Sequence, residues 1–514
     1  MFIVRKGQEP VLLTNEAGNP FTRVPHASEL AKILGPETRT AERALLQKTA
    51  VSLHEYMRNY GALSESTKPL IVAGSLIALQ DDEFAHTYQT IDQSDENRSP
   101  EFGDAWVRAI RRSFTKSDVP KDKIDQVVKV FRSAFESSPS LLQRGVKASV
   151  RGKNKTETGS VLAAIVRELE EHVLPGINAG DGFDLIGAFY GEFLRYTAGD
   201  KKGLGIVLTP PHVTELFAYL GNPSPADTVL DPCAGTGGFL IAAMKYMDDG
   251  TARGVATTEA EKKRIKAQGL MGVEFIPDMY ALAASNMLLR GDGKSNLFLG
   301  SCFDENIRES LISGDRVTGE QMPRPTIGFI NPPYSQAKKS PELAEMAFIK
   351  NMLDILTPGS TGIAIVPMSC ATSADAWRKK TLESHTLEAV MTMPPELFYG
   401  VGTQTVIMVF TAHKPHTAGR KTWFARWVDD GHVTLRGRKD LKGRWPSIRD
   451  QWVTDYRTRR ADTPGYCVSR AVTATDEWLA EAYMETDYSA LADEMFTAVL
   501  REFAVYQMMR EAQS

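Results

Sequence analysis

Asp231-Pro232-Cys233-Ala234-Gly235-Thr236-Gly237-Gly238-Phe239 stands between a short apolar run, Thr228-Val229-Leu230, and a helix-length segment that opens at Gly238. Glycines at this spacing let the backbone turn tightly and let a ligand come close to the carboxyl end of a strand. A dinucleotide fingerprint needs a third glycine where Leu240 stands, so no pyrophosphate cradle is indicated. The carboxylate of Asp231, at the entrance of the loop, suits a ligand that carries an ammonium group.

Working outward, β-rich runs alternate with helix-length segments from Gly203 onward. Met271–Phe275, Ser295–Leu299, Pro325–Ile330, Gly362–Pro367, Ala389–Met393 and Thr405–Phe410 read as strands. Such alternation predicts an α/β fold, a parallel sheet covered on both faces. Glu274 ends one of these strands, where a carboxylate can accept both hydroxyls of a ribose. Its distance from Asp231 is long for a minimal strand–helix–strand unit, and residues 251–269 are read as an inserted loop. Asn331-Pro332-Pro333-Tyr334 follows another strand directly. Two prolines lack the N–H donors of a ladder and hold a stiff turn instead. The Asn331 amide oxygen and the Pro332 carbonyl can accept from an exocyclic amine, and Tyr334 can stack on a base.

The remaining texture bounds the rest. The 514 residues allow two to four domains. Residues 1–195 read as a mainly helical domain, 196–415 as the α/β domain, and 416–514 as a basic β-hairpin region followed by C-terminal helices. The hairpin is expected from Thr422–Val428 and His432–Leu435 across Asp429-Asp430-Gly431; Thr475–Gln507 reads as helical. Arg420–Arg460 holds 12 Lys/Arg against 5 Asp/Glu and four of the seven tryptophans. The tryptophans are expected mostly in a core, and Arg436, Arg438 and Lys439 on DNA phosphates. The net charge of −4 decides nothing about nucleic acid. The four cysteines form no CxxC pair and no His cluster sits at metal spacing, so no metal is expected and a reducing cytoplasm is the default. The longest apolar stretch, Leu70–Leu79, is too short to span a bilayer, and the first residues do not read as a signal peptide.

At this point the residues resemble a known family. DPCAGTGGF and NPPY look like the cofactor and catalytic motifs of the amino-methyltransferases. Gly205-Ile206-Val207-Leu208-Thr209-Pro210-Pro211 resembles the stretch of that family that touches the methionine end of the cofactor, with Leu208 where an aromatic is usual. The motif order is similar to the gamma class of N6-adenine methyltransferases. Asp184–Gly191, Gly272–Phe275, Asn286–Leu289, Gly300-Ser301 and Pro394–Thr405 resemble the modification subunit of type I restriction-modification systems. The resemblance covers residues 183–411.

That resemblance implies a Rossmann-like sheet that binds S-adenosyl-L-methionine and methylates adenine N6 in double-stranded DNA. It implies cofactor contacts from Val207, Leu208, Thr209, Pro210, Asp231, Ala234, Gly235, Thr236, Gly237, Gly238, Glu274, Ser301 and Asn331. Asn331, Pro332, Pro333 and Tyr334 would form the catalytic turn, with Phe398 or Tyr399 as a second wall for the base. No large target-recognition domain, nuclease signature or nucleotide-phosphate loop stands out, so a specificity subunit and a restriction subunit are expected as separate chains. RNA or a protein glutamine as the methyl acceptor, or a non-catalytic DNA clamp, are the alternatives.

Overall fold

A computed structural model describes residues 48–94, 101–144, 159–175, 208–250, 254–291, 296–313, 322–334, 340–373, 376–398, 402–435 and 437–486. It also describes a few short pieces outside these ranges. Val207, Tyr399, Arg436 and the stretch 184–191 lie outside the described residues.

Nine strands form one sheet. In chain order they are β1 Val229–Asp231, β2 Leu270–Glu274, β3 Leu297–Leu299, β4 Ile327–Ile330, β5 Thr361–Pro367, β6 Thr386–Thr392, β7 Thr405–Thr411, β8 Lys421–Arg426 and β11 Cys467–Ala471. Val433–Leu435 (β9) and Gly437–Lys439 (β10) pair with each other as a separate ribbon. The order across the large sheet is β11-β8-β6-β7-β5-β4-β1-β2-β3. Strands β3, β2, β1, β4 and β5 are mutually parallel. Successive residues face opposite sides, so Val229, Ile363 and Ile365 enter one core while Leu230, Ala364 and Val366 enter the other. Both faces are therefore covered, as parallel strands require.

The sheet departs from the purely parallel expectation at β7, which runs antiparallel to β5 and β6. Residues 393–404 alone link β6 to β7, about the shortest connection with which a parallel return can be made. The expected hairpin after residue 422 is not formed. β8 is buried over Thr422–Ala425 and pairs parallel to β6 and antiparallel to β11. Its apolar centre, Trp423-Phe424-Ala425, is better satisfied between two strands than at the edge of a ribbon. Strands from both sides of residue 415 thus share one sheet. The stretch read as a loop at 251–269 contains a helix, Glu259–Gln268, opened by a reciprocal capping box between Thr258 and Glu261. Residues 475–486 are not α-helical and carry only a short 3₁₀ turn, Ala480–Ala482; helical residues resume at 496.

The helices before the sheet, Thr67–Ala78 (α1), Glu101–Lys116 (α2) and Lys121–Glu136 (α3), share a core around Trp106 and Phe131. α1 and α3 dock on Pro277–Leu289 (α6), which lies against β2 and β3. Pro211–Gly221 (α4) and Gly238–Asp248 (α5) cover the same face through Phe217, Phe239 and Phe329. Trp445–Thr458 (α7) packs on α4. The tryptophans of the basic segment are core residues: Trp423, Trp427, Trp445 and Trp452 are all buried, and Trp427 stacks on Trp452 at 4.8 Å with the rings 3° apart. Among the described residues no helix is long and apolar enough to cross a membrane.

Trp427→Ala removes the fully buried half of that stack. It should cost about 3–5 kcal/mol in urea unfolding. A loss below about 1 kcal/mol would contradict the packing.

Candidate active site

β1 and β4 are parallel neighbours, with Leu230 opposite Gly328. The loop after Asp231 and the turn after Ile330 therefore leave the sheet side by side at one carboxyl edge. The chain continues from β1 to β2 on one side, while β4 lies on the other; this is the switch point at which sheets of this kind form a ligand crevice. Asn331 is part-buried, Pro332 buried, Pro333 exposed and Tyr334 part-buried.

The glycine loop is held from three directions. Ala234 N–H donates to the Val273 carbonyl (2.9 Å), and Gly237 N–H to the Ala234 carbonyl (2.7 Å). The Asn286 side chain on α6 donates to the Thr236 carbonyl (2.9 Å). Gly235 and Gly237 have φ of +53° and +83°, the left-handed region that glycine enters without strain. A Cβ on Gly235 would meet nothing within 4 Å, so the loop presents bare backbone to open space. Gly238 opens α5.

Two carboxylates flank this loop. Glu274 accepts from Gly235 N–H (2.7 Å) through one oxygen and from Ile276 N–H (2.8 Å) through the other. Burial raises its pKa, and the N–H groups of Ile276, Gly235 and Phe275 oppose that. Asp231 is 1% exposed. One oxygen accepts from Cys233 N–H (3.1 Å); the other is buried with no hydrogen-bond partner. Burial, with a smaller push from Glu274, raises the Asp231 pKa to about 8. A buried acceptor without a donor is costly, and an arriving cation would relieve that cost. Phe275 follows Glu274 and is 72% exposed, a large apolar face at the same edge. Ser301, just after β3, accepts from Phe303 N–H (3.2 Å).

On the other side of the crevice, Asn331 Nδ2 donates to Thr209 Oγ1 (2.8 Å). Its Oδ1 is buried and without a partner. Thr209 thus holds the nitrogen end of the amide, and the oxygen end is left with an open acceptor. Pro210 is the N-cap of α4 and Leu208 is part-buried beside it. The Tyr334 ring meets Phe398 edge-on, 6.2 Å between centroids. Burial pushes the Tyr334 phenol far above its ordinary value, so it is neutral. The residues singled out from sequence fall on two walls: Asp231, the glycines and Glu274 on one, Thr209, Asn331 and Tyr334 on the other.

Three residues escaped the sequence reading. His212, Asp430 and His432 converge, with ligand-type atoms within 4.8 Å of one another. No local spacing brings together residues this far apart in the chain. Arg438, expected on DNA, instead forms an ion pair with Asp430. Phe275 and Asn286 had a visible signal, since each follows or faces a strand end already singled out.

The N-6 DNA Methylase family model matches residues 181–477, more than half of the chain. The chain belongs to this family. It is therefore a DNA methyltransferase of the N6-adenine type. The type II restriction enzyme and methyltransferase RM.BcgI of Heyndrickxia coagulans is 33% identical over 481 residues, covering 91% of this chain and 70% of that protein. The EcoKI methylase subunit of Escherichia coli is 26% identical over 246 residues, 45% of either chain, so the match spans about half of that subunit. A chain from a type I restriction-modification assembly has the same fold, with a TM-score of 0.54 at 18% identity over 89% of this chain and 95% of the other. The type I methyltransferase subunit of Streptococcus thermophilus gives 0.50 at 17% identity, over 84% and 96%.

Because Asp231 holds its proton in the folded methylase and loses it in the unfolded chain, this residue makes stability fall as pH rises from about 4 to about 8. Asp231→Asn removes that slope, on the order of 1 kcal/mol per pH unit. The melting temperature of the wild type relative to Asp231→Asn should therefore drop steadily between pH 5 and pH 8. A constant difference would contradict the buried neutral carboxyl.

Proposed function

We propose that this crevice binds S-adenosyl-L-methionine on the glycine-loop wall and an adenine, flipped out of double-stranded DNA, on the Asn331 wall. The observation that carries this reading is the Asn331 amide: its nitrogen is held by Thr209, and its oxygen is left without a partner, at the end of the strand that pairs with the one leading into the glycine loop.

The residues present fit the cofactor. Asp231 offers its unpartnered oxygen to the methionine ammonium. Glu274 keeps lone pairs for the ribose hydroxyls, and Phe275 offers an apolar face to the adenine ring of the cofactor. Ala234–Gly238 present backbone, Ser301 a hydroxyl, and Leu208, Thr209 and Pro210 close the methionine end; Val207 is proposed there from its sequence position. The sulfonium supplies an activated methyl group when bound.

The chain's own residues do the rest. Flipping the target base costs a few kcal/mol, and stacking on Tyr334, with Phe398 behind it, offsets part of that. Asn331 Oδ1 and the Pro332 carbonyl accept from the exocyclic amine; Pro333 stiffens the turn that aims them. Drawing on both N–H bonds biases the nitrogen toward tetrahedral geometry and directs its lone pair across the crevice. Rate enhancement then comes from positioning.

We further propose the role of a modification subunit, with target choice supplied by a specificity subunit and cleavage by a restriction subunit, in the cytoplasm. The type I subunits among its relatives support this. So do Phe496, Val499, Leu500 and Phe503, exposed apolar side chains in the C-terminal helical residues. In this arrangement residues 1–195 are a mainly helical domain, 196–415 the main part of the transferase, and 416–514 a region that adds β8 and β11 to its sheet.

Asn331→Ala should reduce tritiated-methyl transfer to duplex DNA to background while cofactor affinity stays within about threefold. Full activity in that variant would refute the assignment. Tyr334→Phe should retain far more activity than Tyr334→Ala, because stacking needs the ring and not the hydroxyl. Equal losses would instead give the phenol itself a role.

A further inference from the structure

Behind the Asn331 wall lies a buried polar cluster that the reaction does not use directly. Asp430 is 1% exposed, in the segment between β8 and the β9–β10 ribbon. One of its oxygens accepts from His212 Nε2 (3.1 Å). The other accepts from His432 N–H (3.0 Å) and from the Arg438 guanidinium. His432 stacks on His212 at 4.1 Å, and Trp445 closes the cluster edge-on. Both Asp430 oxygens are engaged and Arg438 supplies the countercharge, so the carboxylate is satisfied within the chain.

Its connections give it a meaning. His212 stands in the first turn of α4, three residues after Thr209, whose hydroxyl holds the Asn331 amide. Arg438 stands on β10, opposite Thr434 of β9. Thr434 donates to Glu396, and Arg438 lies 3.9 Å from the same carboxylate. Glu396 shares a short loop with Phe398, the ring against Tyr334. From Asp430, then, one path runs through His212 to Asn331, and the other through Arg438 and Glu396 to Phe398.

We infer that Asp430 is a positioning residue. It ties the start of α4 to the β9–β10 ribbon and so sets both the Asn331 amide and the Tyr334–Phe398 wall at the geometry that methyl transfer needs. The inference rests on the role proposed for Asn331. It also reassigns Arg438: its side chain is 11% exposed and acts as a strut inside the protein, not as a phosphate contact.

The test is steady-state methyl transfer to duplex DNA by the full chain, with cofactor affinity measured alongside. Asp430→Asn keeps the shape and loses the charge; kcat should fall roughly tenfold or more, with cofactor affinity within about twofold. Thr209→Val should cause a similar loss, and the Asp430→Asn/Thr209→Val double variant no more than the worse single one, since both act through Asn331. His212→Leu should behave like Asp430→Asn, while His212→Gln, which keeps an N–H donor, should recover most of the activity. This pair carries the test if Asp430→Asn does not fold. Wild-type kcat in Asp430→Asn, losses that multiply in the double variant, or equal defects in His212→Leu and His212→Gln would each overturn the inference. Asn331→Ala separates the two readings: if it is active, the catalytic assignment fails; if it is dead while Asp430→Asn is normal, only the positioning role fails.

Discussion

The parallel pairing of β1 with β4 is the constraint on which the rest of the molecule depends. With Leu230 opposite Gly328, the two strands release their loops at one edge, and the chain path leaves a crevice between them. Every polar feature of the site follows from that placement. The loop after β1 is pinned across to β2 by Ala234 and Glu274, and the turn after β4 is pinned to α4 by Thr209. A one-residue slip would turn Leu230 and Ile330 into the wrong core and move Asn331 away from the loop.

The two walls are built on different principles. The glycine-loop wall is rigid backbone, anchored to a sheet buried on both faces. It holds one oxygen of Asp231 buried and without a partner, and burial keeps this carboxyl neutral. The opposite wall is assembled from distant segments: Thr209, Asn331, Phe398 and, behind them, Asp430 and Arg438. Residues beyond 416 are part of this wall's support. Trp445 and Arg449 on α7 both donate to Glu215 on α4, and Arg449 lies over Tyr219. Arg420, Arg426, Arg438, Arg444, Arg449 and Arg460 of this segment form ion pairs within the chain, around tryptophans that are buried.

What could be read from the sequence was whatever has a local signature. β1, β2, β4, β5 and β7 are short, predominantly apolar runs, and they appear within a residue or two of where the pattern puts them. The glycine loop and the proline turn are covalent neighbours of those strands, so their place at the sheet edge was legible too. Thr258-x-x-Glu261 is an N-terminal signature for Glu259–Gln268, but the polar, lysine-rich face of that helix hides its periodicity. β8 differs from its expected place in a hairpin because a strand buried between two others and one half of a hairpin carry similar residues. The partner of Asn331 and the His212–Asp430–His432 cluster had no signature at all. They join residues far apart in sequence through side-chain bonds that only the folded chain defines.

The most direct test of the central claim is a structure of the chain with S-adenosylhomocysteine and a duplex holding one target adenine. The account expects the ligand's amino group on Asp231, its ribose on Glu274, and the adenine amine on Asn331 Oδ1, facing the sulfur across the crevice. A ligand bound elsewhere on the sheet edge, or an Asn331 oxygen still bonded only within the protein while the base sits outside the crevice, would contradict it.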